Sequence, residues 1–145
     1  MTHDMLARAV RDGIARTIAV VGLAGVALIH LLDLPGKFSE TPYLAWMYIA
    51  LIIGCLAVAA ALIRASDARA WMAALLLPLG ALVGYTLTRT VGLPQAMGDI
   101  GNWTEPLGLA SLFVETSLAA LACTMLAGLR IASPHRIALV EAVRA

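Results

Sequence analysis

An all-α membrane protein, a bundle of four transmembrane helices with both termini cytoplasmic, is predicted by three observations. The apolar fraction is 61% and the charged fraction 13%, against about 45–50% and about 25% in soluble domains, so lipid rather than water is the expected solvent. Four apolar runs fall at about 17–34, 42–63, 70–88 and 105–129, and each suffices to cross a ~30 Å hydrocarbon core. The charges that separate these runs are unevenly placed. Arg8, Arg11, Arg16, Arg64, Arg69, Arg130, Arg136 and Arg144 fall on one side, and Lys37 and Arg89 on the other. The positive-inside rule then puts both termini in the cytoplasm and the 35–42 and 89–105 connections outside. The expected location is the cytoplasmic membrane, as a single multi-pass domain spanning 1–145.

Residues 1–16 interleave Arg8, Arg11 and Arg16 with Met5, Leu6, Val10 and Ile14. At helical spacing this is a basic amphipathic segment suited to a membrane surface. The first span follows, apolar except for His30 and Asp33, and Pro35-Gly36 is expected to end it. No small-x-small site follows, so the span is expected to be retained. A polar loop with Lys37, Ser39 and Glu40 comes next.

Thr41-Pro42 reads as an N-cap with proline in the first helical position. Tyr43, Trp46 and Tyr48 form an interfacial belt at the start of the second span. Ala50, Gly54, Ala57 and Ala61 give it a small-residue side for close packing. Ser66 or Asp67 caps the third span, Trp71 marks its interface, and Pro78 should kink it. Gly80 and Gly84 form a GxxxG pair, a pattern that favours close helix contact.

The stretch 88–115 holds Arg89, Asp99, Asn102, Trp103, Glu105 and Glu115 in a Gly- and Pro-rich setting. It is expected to form a structured outer loop, with Val91, Leu93, Ile100 and Trp103 dipping toward the bundle and Gly92, Gly98 and Gly101 supplying tight turns. Asn102 with Glu105 resembles a capping box, and Pro106 fits a first turn. Beyond the fourth span, Ile137, Val140 and Val143 alternate with Arg136, Glu141 and Arg144 as a surface helix over 133–145 would.

Glu115 is the most informative residue. It lies about ten residues into the fourth span, roughly 15 Å deep at 1.5 Å per residue. A carboxylate there is costly against lipid and should face other helices, a cavity or a partner. Its helical face carries Ser111, Ala119, Ala122 and Cys123, all small. His30 is the second candidate, as a titrating group or a metal ligand. With Glu115, Glu40 or Glu105 it offers nitrogen and oxygen donors for a divalent metal, the cofactor these residues allow, although no HxxxH or HxxE spacing supports one. A hydrogen-bonded structural histidine is the more ordinary alternative. Arg89 can bind an anion bidentately or pair with Glu105, Asp99 or Glu115, and Tyr85 shares its face at i,i+4. Cys55 and Cys123, with Met125, allow a soft-metal site, against the commoner role of thiols as small packing groups.

The stretches HLLDLPGKF and DIGNWTEPLGLASLFVE are similar to stretches of small uncharacterised four-helix bacterial integral membrane proteins. This resemblance spans His30 to Glu115 and implies a fold and a location, and no activity.

The leading functional expectation is binding or conduction of a small ligand or ion at an outward-facing polar site. Its residues are His30, Glu115, Arg89, Glu105, Glu40, Asp99, Tyr85 and Trp103. The alternatives are a structural or accessory subunit of a larger membrane complex and a membrane redox protein holding a metal or quinone. No nucleophile–base pair argues for an enzyme. The lipid bilayer is the expected partner, with a homo-oligomer or larger complex. A net charge of +1 and no aromatic-interleaved basic patch argue against nucleic acid.

Overall fold

The computed structural model describes the backbone of residues 3–144 and the side chains of residues 3–129. The described chain is helical, in the order α1 (His3–Glu40), α2 (Pro42–Arg64), α3 (Ala68–Thr90), a 3-10 turn (Met97–Asp99) and α4 (Pro106–Arg144). All four α-helices are long and apolar enough to cross a membrane. Helix α1 packs most extensively on α2, and α3 on α4, while α1–α4 contact closes the circuit. The α2–α3 seam is the sparsest between neighbours.

The core is built mainly of small residues and leucines: Ala15, Ala19, Leu23 and Val26 of α1 meet Leu62, Ala74, Leu118 and Ala122. Gly22 and Gly25 bring α1 onto α4, where an added Cβ would touch Leu118 at 3.5 Å and Val114 at 3.3 Å. Large apolar side chains such as Val21, Ile53, Ile63 and Phe113 point outward, as lipid-facing positions of a membrane bundle do.

Several local expectations are corrected. Pro35-Gly36 does not end α1, and Lys37, Ser39 and Glu40 are helical. A proline removes one backbone bond, and helices in apolar surroundings tolerate it when nearby groups recover the ladder. Beyond the proline, the last turn of α1 is closed by Ser39 Oγ, which donates to the Gly36 carbonyl at 2.8 Å, and by Thr41 N–H, which donates to that of Lys37 at 2.8 Å. The chain reverses instead at Thr41, whose side chain makes no cap bond, with Pro42 opening α2. No helical break separates residues 3–16 from the first span, so that segment continues α1 rather than forming a helix of its own.

Asp67 caps α3, its Oδ1 accepting from Ala70 N–H at 2.8 Å. Ser66 serves differently: its hydroxyl donates to Asp12 Oδ1 at 2.6 Å and accepts from Trp71 Nε1 at 2.9 Å. Trp71 is fully buried, a core residue rather than a belt residue. Helix α3 runs through Pro78. The Asn102/Glu105 box does not form. The Glu105 carbonyl accepts the first α4 bond, from Leu109 N–H, while the Glu105 carboxylate turns to Arg89. The side chains of the expected 133–145 surface helix lie outside the described residues.

Candidate functional site

Two polar clusters sit at opposite ends of the bundle. At the arginine-rich end, Asp12, Ser66 and Trp71 form the chain just described, and Arg16 donates to the Leu62 carbonyl at 3.3 Å. At the other end the polar residues surround a cavity of about 410 Å³, within the size range of small-molecule sites.

Helix α1 supplies one wall. His30, Asp33 and Lys37 recur at i, i+3 and i+7, so one face of the unbroken α1 carries all three, and all three line the cavity. His30 Nδ1 lies 2.9 Å from the Val26 carbonyl. A carbonyl only accepts, so Nδ1 carries the hydrogen, and a neutral ring presents a lone pair at Nε2. That nitrogen faces Glu115 Oε1 at 3.8 Å.

Helix α4 brings Glu115 to the same floor. Its side chain is 1% exposed. Ser111 donates to Oε1 at 2.7 Å, one turn earlier on the same face. Oε2 is buried and has no hydrogen-bond partner. An unpaired buried carboxyl oxygen costs free energy, so the side chain is held here by the fold without full compensation.

Helix α2 contributes Tyr48, which was expected in the interfacial belt. It turns inward, donating to Asp33 Oδ2 at 3.2 Å and meeting the His30 ring edge-on at 4.6 Å.

The mouth is a charge network. Arg89 is buried at 5% exposure and pairs with Asp99 at 3.0 Å and with Glu105. Its guanidinium lies 4.8 Å over the Tyr85 ring. Lys37 bridges Glu40 at 3.5 Å and Asp99 at 3.7 Å. Tyr85 packs against Gly108, where an added Cβ would come within 2.7 Å of its ring, and stacks edge-on with Trp103 at 6.0 Å.

Of the eight residues expected at the site, His30, Glu115, Arg89, Glu105, Asp99 and Tyr85 line the cavity. Glu40 and Trp103 do not: the Glu40 carboxylate is 65% exposed on the rim, and Trp103 backs Tyr85. Arg89 pairs with Asp99 and Glu105, and Glu115 instead meets His30. Asp33, Tyr48 and Lys37 belong to the site and were not among its expected members.

The 91–105 connection is mostly outward. Val91, Ile100 and Trp103 are exposed, while Leu93 reaches the cavity. Gly92 and Gly101 adopt positive φ, of 76° and 79°. Gly92 has a second reason to be glycine, because a Cβ would lie 2.6 Å from the Met97 sulfur.

Gly80 and Gly84 change role. A Cβ at either meets nothing within 4 Å, so the GxxxG pair makes no close helix contact and instead lines the cavity.

The donor set for a metal is short. Among the described residues no group of three or more His, Cys, Asp or Glu side chains converges as a metal site. Cys55 is buried and Cys123 exposed, and neither lines the cavity.

No family model, no curated protein and no solved structure matches the chain.

Proposed function

We propose that this protein is a membrane-embedded binding protein whose site is the cavity between the helices, with Glu115 and His30 at its floor. The carrying observation is Glu115, a carboxyl buried in the wall of a 410 Å³ cavity with one oxygen unpartnered and the imidazole of another helix facing the other at 3.8 Å. Intramembrane acids facing a cavity mark ligand and ion sites. Arg89, Asp99 and Glu105 form the mouth, and Tyr85 holds the arginine over it. Transport of the bound species follows if the site opens alternately to both sides.

The orientation that fits is N-terminus and C-terminus in the cytoplasm, with the mouth and the 91–105 connection outside. Arg11, Arg16, Arg64 and Arg69 gather at the opposite end from Lys37 and Arg89, as the positive-inside rule requires. Cysteines placed singly at Gln95 and Ala65, both exposed, in a cysteine-free background test this. A membrane-impermeant maleimide added to intact cells is expected to label the first and spare the second.

The binding reading is tested by thermal unfolding in mild detergent against small amines, alcohols, carboxylates and divalent cations. At least one class is expected to raise the melting temperature of the wild type and not that of Glu115→Gln or His30→Ala. If no class separates the wild type from both variants, the cavity is not a binding site.

A further inference from the structure

The cavity's charges are segregated. Its lining cations are Lys37 and Arg89, and its lining anions are Asp33, Asp99, Glu105 and Glu115. Both cations are committed at the mouth. Arg89 holds Asp99 and Glu105, and Lys37 holds Glu40 and Asp99. The floor is therefore left rich in acceptors. It has Asp33, whose described partner is one tyrosine hydroxyl; Glu115, with Oε2 unpartnered; and His30, whose Nδ1 is spent on a backbone carbonyl. A group of acceptors without matching donors, buried at Glu115 and His30 and part-buried at Asp33, is complementary to a ligand that brings its own N–H groups and positive charge.

The rest of the wall is apolar and open sideways. Met47 and Ala50 of α2 and Leu76 and Gly80 of α3 line the cavity, and all four are exposed. They flank the α2–α3 seam, where neighbouring helices touch least. In a membrane that surface meets acyl chains. Gly80 and Gly84 keep the seam clear, since no atom lies within 4 Å of the Cβ either would carry.

We infer that the cavity binds a single-tailed amphiphilic amine in its ammonium form, with the N–H groups donated to Glu115 and Asp33 and the apolar body lying in the α2–α3 seam. This rests on the reading of the cavity as a binding site and adds the ligand class and the entrance. A volume of about 410 Å³ suits a drug-sized molecule.

The test uses three probes of one shape and different heads: 4-phenylbutylammonium, 4-phenylbutanol and 4-phenylbutyrate. Each is titrated by equilibrium dialysis against the full chain in phosphatidylcholine nanodiscs, with empty discs as the blank. The ammonium probe is expected to bind about tenfold or more tighter than the alcohol, the equivalent of one charge-assisted hydrogen bond, and the carboxylate weakest. Glu115→Gln is expected to remove that advantage, and Asp33→Asn to reduce it several-fold.

Gly80→Leu is expected to weaken the ammonium and alcohol probes alike, because it fills the seam and leaves the carboxyls untouched. It also stands in should Glu115→Gln fail to fold. If the alcohol or carboxylate binds best, with binding still lost in Gly80→Leu, the site stands and the cationic assignment falls. If no probe binds in a way that depends on Glu115 or Gly80, the reading of the cavity itself falls. A further arm replaces part of the lipid with phosphatidylethanolamine. Unchanged affinity supports a free amine, and loss of ammonium binding there overturns it in favour of the lipid headgroup.

Discussion

The two polar ends of this bundle are built to different rules. At the arginine-rich end, the Trp71 indole, the Ser66 hydroxyl and Asp12 pass hydrogen bonds from one to the next, and the indole is sealed in the core; Arg16 Nε is buried there without a hydrogen bond, but it faces the Asp12 carboxylate at 3.3 Å. At the other end, Glu115 is as deeply buried, yet one of its oxygens has no partner and a cavity stands beside it. A membrane protein that can satisfy a buried tryptophan can satisfy a buried carboxyl. Leaving it unsatisfied, next to space, is the pattern expected where local stability is given up for a task.

The contrast can be broken at several points. The largest expected effect is at the sealed end. Trp71→Ala should cost about 3–5 kcal/mol, the usual range for deleting a buried aromatic. Denaturant titration in mixed micelles measures this. Ligand affinity of the surviving folded fraction should be unchanged, because Trp71 does not line the cavity.

Arg89→Ala should have the next largest effect. It leaves Asp99 and Glu105 facing each other without their shared cation. Removing one partner of a buried pair costs about 3–5 kcal/mol. Asp99 and Glu105 are 25% and 34% exposed, so solvent screening should hold this loss to about 2 kcal/mol. The same titration reads it, and a loss as large as that of Trp71→Ala would mean that the mouth is as sealed as the other end.

The smallest effect sharpens the comparison from the cavity side. Gly80→Ala adds a methyl where nothing lies within 4 Å. Its stability should stay within about 0.5 kcal/mol of the wild type, or rise slightly through the better helix propensity of alanine. A loss above that range would show that the seam is closed by a contact.

Much of this was legible in the chain. Four apolar runs with sparse charges announce four spans, and the depth of Glu115 announces an inward face. His30 is a rare histidine in an apolar run, and its pairing with Glu115 needed only the two to face inward at the same end. Asp33 stands in the first span three residues from His30, but Lys37, which completes the stripe, is hidden by one local rule. Pro35-Gly36 reads as a stop, which puts Lys37 in a loop and removes the i, i+3, i+7 stripe from view. The helix passes through that pair and ends at Glu40, with the reversal at Thr41 and Pro42 opening α2.

Tyr48 and Trp71 were misplaced for a related reason. Interfacial aromatics and inward-turned ones occupy the same sequence positions, and only the partner decides between them: Asp33 for Tyr48 and Ser66 for Trp71. GxxxG is likewise ambiguous, since a missing side chain admits either a neighbouring helix or empty space. Here it leaves space.

The most direct test of the difference between the two ends needs no ligand. Thermal unfolding of Ser66→Ala and Glu115→Gln is compared with the wild type in one detergent. Ser66→Ala breaks a completed chain and leaves the buried indole N–H of Trp71 unpaired, so it should melt below the wild type, by the equivalent of about 1–3 kcal/mol. Glu115→Gln replaces an uncompensated carboxyl with a neutral amide of the same shape, so it should melt at or above the wild type. If Glu115→Gln instead melts as far below the wild type as Ser66→Ala, Glu115 is holding the fold together and the cavity has lost its claim to be a site.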